Sequence, residues 1–254
     1  MNILVIIKET FDTEEKIEII DGEIIEDYME YILNPYDEYA VEEAVRLKEI
    51  HGGQVTALTV GDSHSEQSLR TAIAMGADEA ILIDKIDKGD EYTTSQLLKK
   101  TIQSMTFDII LAGNVTVDNG SSQIGPRLAE ELDIANVSSV TNLTIDGQEA
   151  SLTRTVEGNE EMLTCQLPLL VTCQQGLNEP RYPSLPKVMK AKKKVIKHMN
   201  TVDLGLNPSE ITGKTRIIDQ YILPKKASGL ILNGALNEQI DELVSVISKK
   251  TTLL

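Results

Sequence analysis

Residues 108–128 read DIILAGNVTVDNGSSQIGPRL, and the fold follows from how that stretch is parsed. Asp108–Ala112 is a short apolar run, the pattern of a strand buried on both faces of a parallel sheet. Gly113 then opens a polar loop that carries Asn114, Thr116, Asp118, Asn119, Gly120, Ser121, Ser122 and Gln123, and a helix follows. A helix start has unpaired N–H groups and the positive end of the macrodipole, so such a loop can hold a phosphate. Open parallel sheets bind ligands at the carboxyl ends of their strands, which is where this loop falls. The same Ser and Asn residues also suit plain helix caps, so the loop alone leaves both readings open.

Upstream, strands and helices alternate. Asn2–Ile7, Gln54–Val60 and Glu79–Ile83 read as strands; Tyr36–Ile50, Ser65–Met75 and Tyr92–Met105 read as helices. The alternation predicts a doubly wound, mostly parallel α/β sheet with right-handed crossovers. Lys16–Ile25 interrupts it with a hairpin signal around Asp21-Gly22. Asn34-Pro35 sets the start of the next helix, Asn as cap and Pro in the first turn, and Gly52-Gly53 stops it.

After Leu132 the rhythm changes. Val137–Ile145, Ala150–Val156 and Met162–Gln166 predict an antiparallel meander, and Leu169–Cys173 is apolar enough to rejoin the main sheet. Leu177–Lys194 reads LNEPRYPSLPKVMKAKKK. Pro180, Pro183 and Pro186 exclude regular structure until a short helix near Lys187. Arg181, Tyr182 and Leu185 sit in this stiff loop, followed by a lysine cluster. It reads either as a solvated helix end or as a docking surface with an apolar anchor and a charged rim. Further on, Ile217–Leu223 alternates like a strand, Pro224-Lys225-Lys226 breaks it, and Asn237–Ser248 reads as an amphipathic helix.

Composition narrows the function. The chain has 254 residues, 41% of them hydrophobic, and a formal net charge of −16. That size allows one large domain or one and a half. The acidity argues against nucleic acid as a partner. Cys165 and Cys173 have no metal or redox spacing, and their scarcity suits a cytoplasmic protein with reduced thiols. No apolar run approaches the ~18 residues of a membrane span, and no leader precedes the first strand. His51, His64 and His198 share no metal-ligand spacing, and neither a P-loop, a GxSxG elbow nor a GxGxxG turn occurs.

Four segments together are specific: NILVIIK with Asp12-Thr13, NPYDEYAVEEAVRLKE at Asn34–Glu49, RTAIAMGAD at Arg70–Asp78, and LNEPRYPSLPKVMKAKKK. With the loop Gly113–Pro126 in register, they resemble the β subunit of an electron transfer flavoprotein. The resemblance implies a Rossmann-like fold of the adenine-nucleotide α-hydrolase type. It implies AMP bound in the sheet crevice by Ile6, by Asn34, Pro35, Tyr36 and Asp37, by Val60, and by the loop Gly113, Asn114, Val115, Thr116, Val117, Asp118, Asn119, Gly120, Ser121, Ser122, Gln123 and Ile124. It also implies a heterodimer with an α subunit that holds most of the FAD site. Residues 1–199 would then form the nucleotide-binding domain, and 200–254 an arm on the α subunit.

By the same resemblance Arg181, Tyr182, Leu185, Met189 and Lys190 form a loop that catches partner dehydrogenases, with Leu185 as anchor. The family's β subunit is a carrier component rather than an enzyme. It takes part in moving electrons from acyl-CoA dehydrogenases and related flavoproteins to a quinone-reducing oxidoreductase and the quinone pool. Two departures stand out. Thr155 follows Arg154 where many members have a glutamate linked to partner release, with Glu157 the nearest substitute. Thr13 replaces the aromatic that some members place over the flavin. Two alternatives remain: a bifurcating member with a second FAD that oxidises NADH, and a stand-alone nucleotide sensor of the universal-stress type.

Overall fold

The structure, a computed structural model, describes residues 1–25, 29–224, 226 and 228–250. In chain order its elements are β1 (Asn2–Ile6), β2 (Glu9–Phe11), β3 (Ile19–Ile20), β4 (Glu23–Ile24), β5 (Tyr31–Leu33), α1 (Pro35–His51), β6 (Gln54–Gly61), α2 (Glu66–Met75), β7 (Glu79–Asp84), α3 (Glu91–Ile102), β8 (Ile109–Gly113) and α4 (Ile124–Leu132). There follow β9 (Ala135–Asp146), β10 (Glu149–Val156), β11 (Asn159–Gln166), β12 (Leu169–Cys173), α5 (Leu185–Ala191), β13 (Lys197–Met199) and α6 (Leu236–Lys250).

Nine strands form one sheet in the order β11-β10-β9-β12-β8-β1-β6-β7-β13. β1 pairs in parallel with both β6 and β8, so the chain moves outward through β6 and β7 and then returns to the other side of β1. This reversal is a topological switch point, and it opens a crevice at the carboxyl ends of β1 and β8. β12 inserts in parallel between β8 and β9, as its apolar sequence predicts. β9, β10 and β11 continue the sheet as the expected antiparallel meander.

The core follows the two-residue period of the strands. Ile3, Val5, Ile109 and Leu111 pack on one face with Ala40, Val41, Ala44 and Leu47 of α1. Leu4, Ile6, Ile110 and Ala112 pack on the other with Leu97, Leu98 and Ile102 of α3 and Leu128 of α4. Helices thus cover both faces, which is why β1 and β8 are apolar without alternation.

Two details depart from the sequence reading. Ile217–Leu223 forms no strand. Ile217, Ile218, Tyr221, Ile222 and Leu223 are all exposed, and alternation makes a strand only when a neighbour supplies the ladder. Conversely, the pair β2–β5 and the edge strand β13 were not foreseen; each strand has three residues, too few to show a period. Lys225 of the expected chain break lies outside the described residues.

The chain divides into two compact units. The first comprises 1–17 and 25–218 and contains the whole nine-stranded sheet. It includes 200–218 because Leu204 and Ile211 are buried with the α3 and α4 side chains. The second contains the β3–β4 hairpin, whose Asp21 and Gly22 both have the positive φ of its tight turn, and the chain from Asp219 onward with α6. Among the described residues no helix is long and apolar enough to cross a membrane.

Candidate functional site

A crevice of about 870 Å³ lies at the switch point, within the first unit. Ile6, Asp37, Val60, Gly113, Asn114, Val115, Thr116, Asn119, Ser121, Ser122, Gln123 and Ile124 all line it. Of the other expected nucleotide residues, Asn34, Pro35, Tyr36, Val117, Asp118 and Gly120 do not line it. Asn34 explains part of this. Its side chain does not cap α1. Instead Nδ2 donates to the Val115 carbonyl (3.0 Å) and Oδ1 accepts from the Val117 amide (3.2 Å). The Asn34-Pro35 signal marks the helix start correctly, but the amide grips the loop after β8.

Asn114 grips from the other side. Its Oδ1 accepts from the Thr172 hydroxyl (2.8 Å) and from the Ser139 amide and hydroxyl. Ser139 stands at a register shift in β9 with a positive φ, so Asn114 ties the loop to an irregularity of the neighbouring strand. Lys8, just past β1, is ion-paired with Asp118. Burial opposes charge on Asp118, but the Lys8 ammonium and the Thr116 hydroxyl hold its carboxyl below the usual range.

Asp37 is buried in the first turn of α1. Oδ2 accepts from the Lys8 amide (2.6 Å) and Oδ1 from the Gly113 amide (3.0 Å), so one carboxyl joins the ends of β1 and β8. Burial pushes this carboxyl up to about 7, outweighing the donors that favour its charged form. Folding therefore gains from the proton. That contribution is complete below the unfolded value near 4 and is lost as pH rises through about 7. We expect the protein to lose more stability between about pH 5 and pH 8 than Asp37→Asn does, measured by denaturant titration. Parallel pH profiles would show that Asp37 is charged throughout.

α4 begins without a side-chain cap. Gln123 precedes it and makes no capping bond, so neither Ser nor Asn caps this helix. The amides of Ile124 and Gly125 open the first turn, and both residues line the crevice. The sequence reading missed the opposite wall, formed by Lys88, Gly89, Asp90, Glu91, Thr94 and Leu98, and by Thr215–Ile217. Asp90-Glu91-Tyr92-Thr93 is a legible helix start, with Asp90 capping the Thr93 amide; nothing in the sequence ties 215–217 to it.

The proline-rich segment is pinned at both ends. Arg181 forms paired bonds with Glu42 of α1 (2.8 and 2.9 Å) and with Glu49 (2.6 and 3.1 Å). At the far end the Arg70 guanidinium donates to the carbonyls of Ala191, Lys192 and Lys194, satisfying the end of α5. Between the pins Tyr182 is 98% exposed and Leu185 75% exposed, with Met189 and Lys190 also exposed. Arg154 finds its carboxylate in Glu161, directly opposite on β11, rather than in Glu157, which lies in the tight turn. Among the described residues no His, Cys, Asp or Glu group has the arrangement of a metal site.

A doubly wound sheet with a ligand-sized crevice at its switch point defines a protein of the α/β class, with the crevice where open parallel sheets take their ligands. Residues 21–204 match the electron transfer flavoprotein domain family. The chain is 50% identical, over the full length of both proteins, to the electron transfer flavoprotein subunit beta of Bacillus subtilis (strain 168). It is 35% identical to the subunit of that name from Thermoanaerobacterium thermosaccharolyticum, over 98% of this chain and 99% of the relative. To the caffeyl-CoA reductase-Etf complex subunit CarD of Acetobacterium woodii it is 34% identical, with the same coverage. The chain belongs to the electron transfer flavoprotein family, as a β subunit. Membership leaves the stand-alone sensor reading without support.

Proposed function

We propose that this β subunit pairs with an α subunit in a heterodimer that carries electrons from acyl-CoA dehydrogenases and related flavoprotein dehydrogenases toward the quinone pool. Its crevice binds AMP, and its loop at Arg181–Lys190 docks the donor. The α subunit holds most of the FAD site, and the flavin supplies the redox chemistry when bound. The observation that carries the nucleotide reading is the uncapped start of α4, whose Ile124 and Gly125 line the crevice beside Ser121 and Ser122. Open amides and hydroxyls suit a phosphate. Ile6, Val60 and Leu98 supply apolar wall for a purine.

The docking reading rests on Leu185. An exposed apolar side chain on a segment pinned at both ends gives a rigid anchor of small area, which suits a short-lived complex. We expect Leu185→Ala to change stability by less than about 0.5 kcal/mol, since the side chain is exposed. Reduction by an acyl-CoA dehydrogenase should slow, mainly through a higher KM. Unchanged kinetics would remove Leu185 as the anchor.

A second reading, in which the crevice holds another FAD and the heterodimer oxidises NADH, is favoured by the crevice's size. About 870 Å³ lies at the upper end of the range for small-molecule sites. Nucleotide released on denaturing the purified heterodimer separates the two. One FAD with one AMP supports the carrier. Two FAD without AMP supports the NADH-linked form.

A further inference from the structure

The strap 211–217 enters the crevice wall at residues 215–217, next to the point where Asp90 holds it. Asp90 Oδ2 accepts from the Lys214 amide (2.7 Å), the Thr215 amide (2.8 Å) and the Thr215 hydroxyl (3.1 Å). Its other oxygen accepts from the amide and hydroxyl of Thr93 (3.1 and 3.3 Å). One carboxylate therefore joins the start of α3 to the strap, with every bond charge-assisted. Burial works against that charge, but the Thr93, Thr215 and Lys214 amides hold the carboxyl well below the ordinary carboxylate range.

Three further contacts fix the same segment. The Thr93 hydroxyl donates to the Ile211 carbonyl (3.1 Å). The Lys214 ammonium lies 4.7 Å from the centre of the Tyr92 ring. Gly213 approaches so closely that an added Cβ would stand 2.9 Å from the Lys88 carbonyl oxygen. Beyond the latch, Thr215, Arg216 and Ile217 line the crevice. Arg216 and Lys88 are its two cationic side chains without a carboxylate partner among the described residues, whereas Lys8 is paired with Asp118.

We propose that Asp90 is a positioning residue for the bound nucleotide: it latches the strap as a crevice wall and so brings Arg216 to the ligand's phosphate. This rests on the crevice holding an adenine nucleotide. The latch sets how fast the nucleotide leaves, because the strap must lift from Asp90 for that wall to open. A carboxylate accepting three strap donors is a strong closure, since hydrogen bonds to charged groups exceed neutral ones.

The test is the exchange of bound AMP against labelled AMP in the purified heterodimer. Asp90→Asn keeps the shape but places an amide donor where the strap's donors point. It should speed release by about ten-fold or more, the loss of one charged hydrogen bond. Because Asp90 also caps α3, Gly213→Val is the second variant. It leaves the cap intact and pushes the strap off Lys88, and it should give similarly fast release. Arg216→Gln should account for part of the effect and add little on top of Asp90→Asn, because its action runs through the latch. Wild-type release rates in both Asp90→Asn and Gly213→Val overturn the latch while leaving the nucleotide site standing. A wild-type heterodimer that yields neither AMP nor FAD beyond the α-subunit flavin overturns both.

Discussion

Gly113→Ala should cost about 3 kcal/mol of folding stability, from overpacking and the loss of a buried hydrogen bond together. An added Cβ would lie 2.2 Å from Asp37 Oδ1, 2.9 Å from the Tyr36 carbonyl carbon and 3.0 Å from the Asp37 amide. None of these is the free end of a flexible side chain. Two are backbone in the first turn of α1, and the third is an oxygen already held by the Gly113 amide. Relief requires α1 to back away from the end of β8, and that movement breaks the carboxyl bridge between β8 and β1. In a chain of this size the loss corresponds to a fall of roughly 6–12 °C in the melting midpoint. Gly120→Ala is the control. Nothing lies within 4 Å of its added Cβ, and only its φ of +66° is unfavourable, at about 1 kcal/mol. Gly113→Ala should also flatten the pH dependence assigned to Asp37, because the displaced carboxyl returns to water. A Gly113→Ala protein as stable as Gly120→Ala would mean that β8 and α1 do not meet as closely as described.

The contrast between those two glycines shows where sequence reading ends. Both stand in the stretch that decides the fold, and both look like turn residues. Gly120 is one, and its conformation is local. Gly113 is a glycine because α1, dozens of residues earlier, passes against it, and no window around residue 113 contains that fact. The sheet was legible because its signals are local: apolar runs for β1, β6 and β8, helical spacing for α1, and Asp21-Gly22 at a hairpin. The loop after β8 was legible as a strand-to-helix loop for the same reason, but its Ser and Asn residues also suited helix caps, and only the structure shows that α4 starts without one. Asn34 was half legible. Its place before Pro35 marks a helix start, but its side chain answers to Val115 and Val117. The far wall was not legible, because Thr215–Ile217 reaches it through a carboxylate more than a hundred residues away. Arg154 and Glu161 show the reverse case. Once Glu157-Gly158 is taken as a two-residue turn, the pairing of 154 with 161 follows from counting along the hairpin.

Arg181→Ala should be the most damaging substitution in the proline-rich segment, at about 2–4 kcal/mol, although Arg181 is neither apolar nor deeply buried. Its two carboxylate partners are unequal. Glu49 is exposed, so that half of the pairing is worth little in water. Glu42 is only 5% exposed, and without the guanidinium its charge is left in the wall of α1. The Arg181 amide also donates to Glu42, so the backbone of the loop is tethered through the same oxygen that receives Nε. Arg181→Lys should recover little, because a single ammonium cannot make two planar pairs at once. Combining Arg181→Met with Glu42→Leu should recover most of the loss, since the penalty lies in the unpaired charge rather than in the missing attraction. The functional consequence separates two kinds of residue in one loop. Leu185→Ala leaves stability intact and raises the KM for a partner dehydrogenase; Arg181→Ala lowers stability and frees the segment that carries Leu185. Denaturant midpoints measured alongside dehydrogenase kinetics distinguish them. If Arg181→Ala instead matched the wild type in stability while weakening partner reduction, the guanidinium would be touching the partner rather than holding the loop.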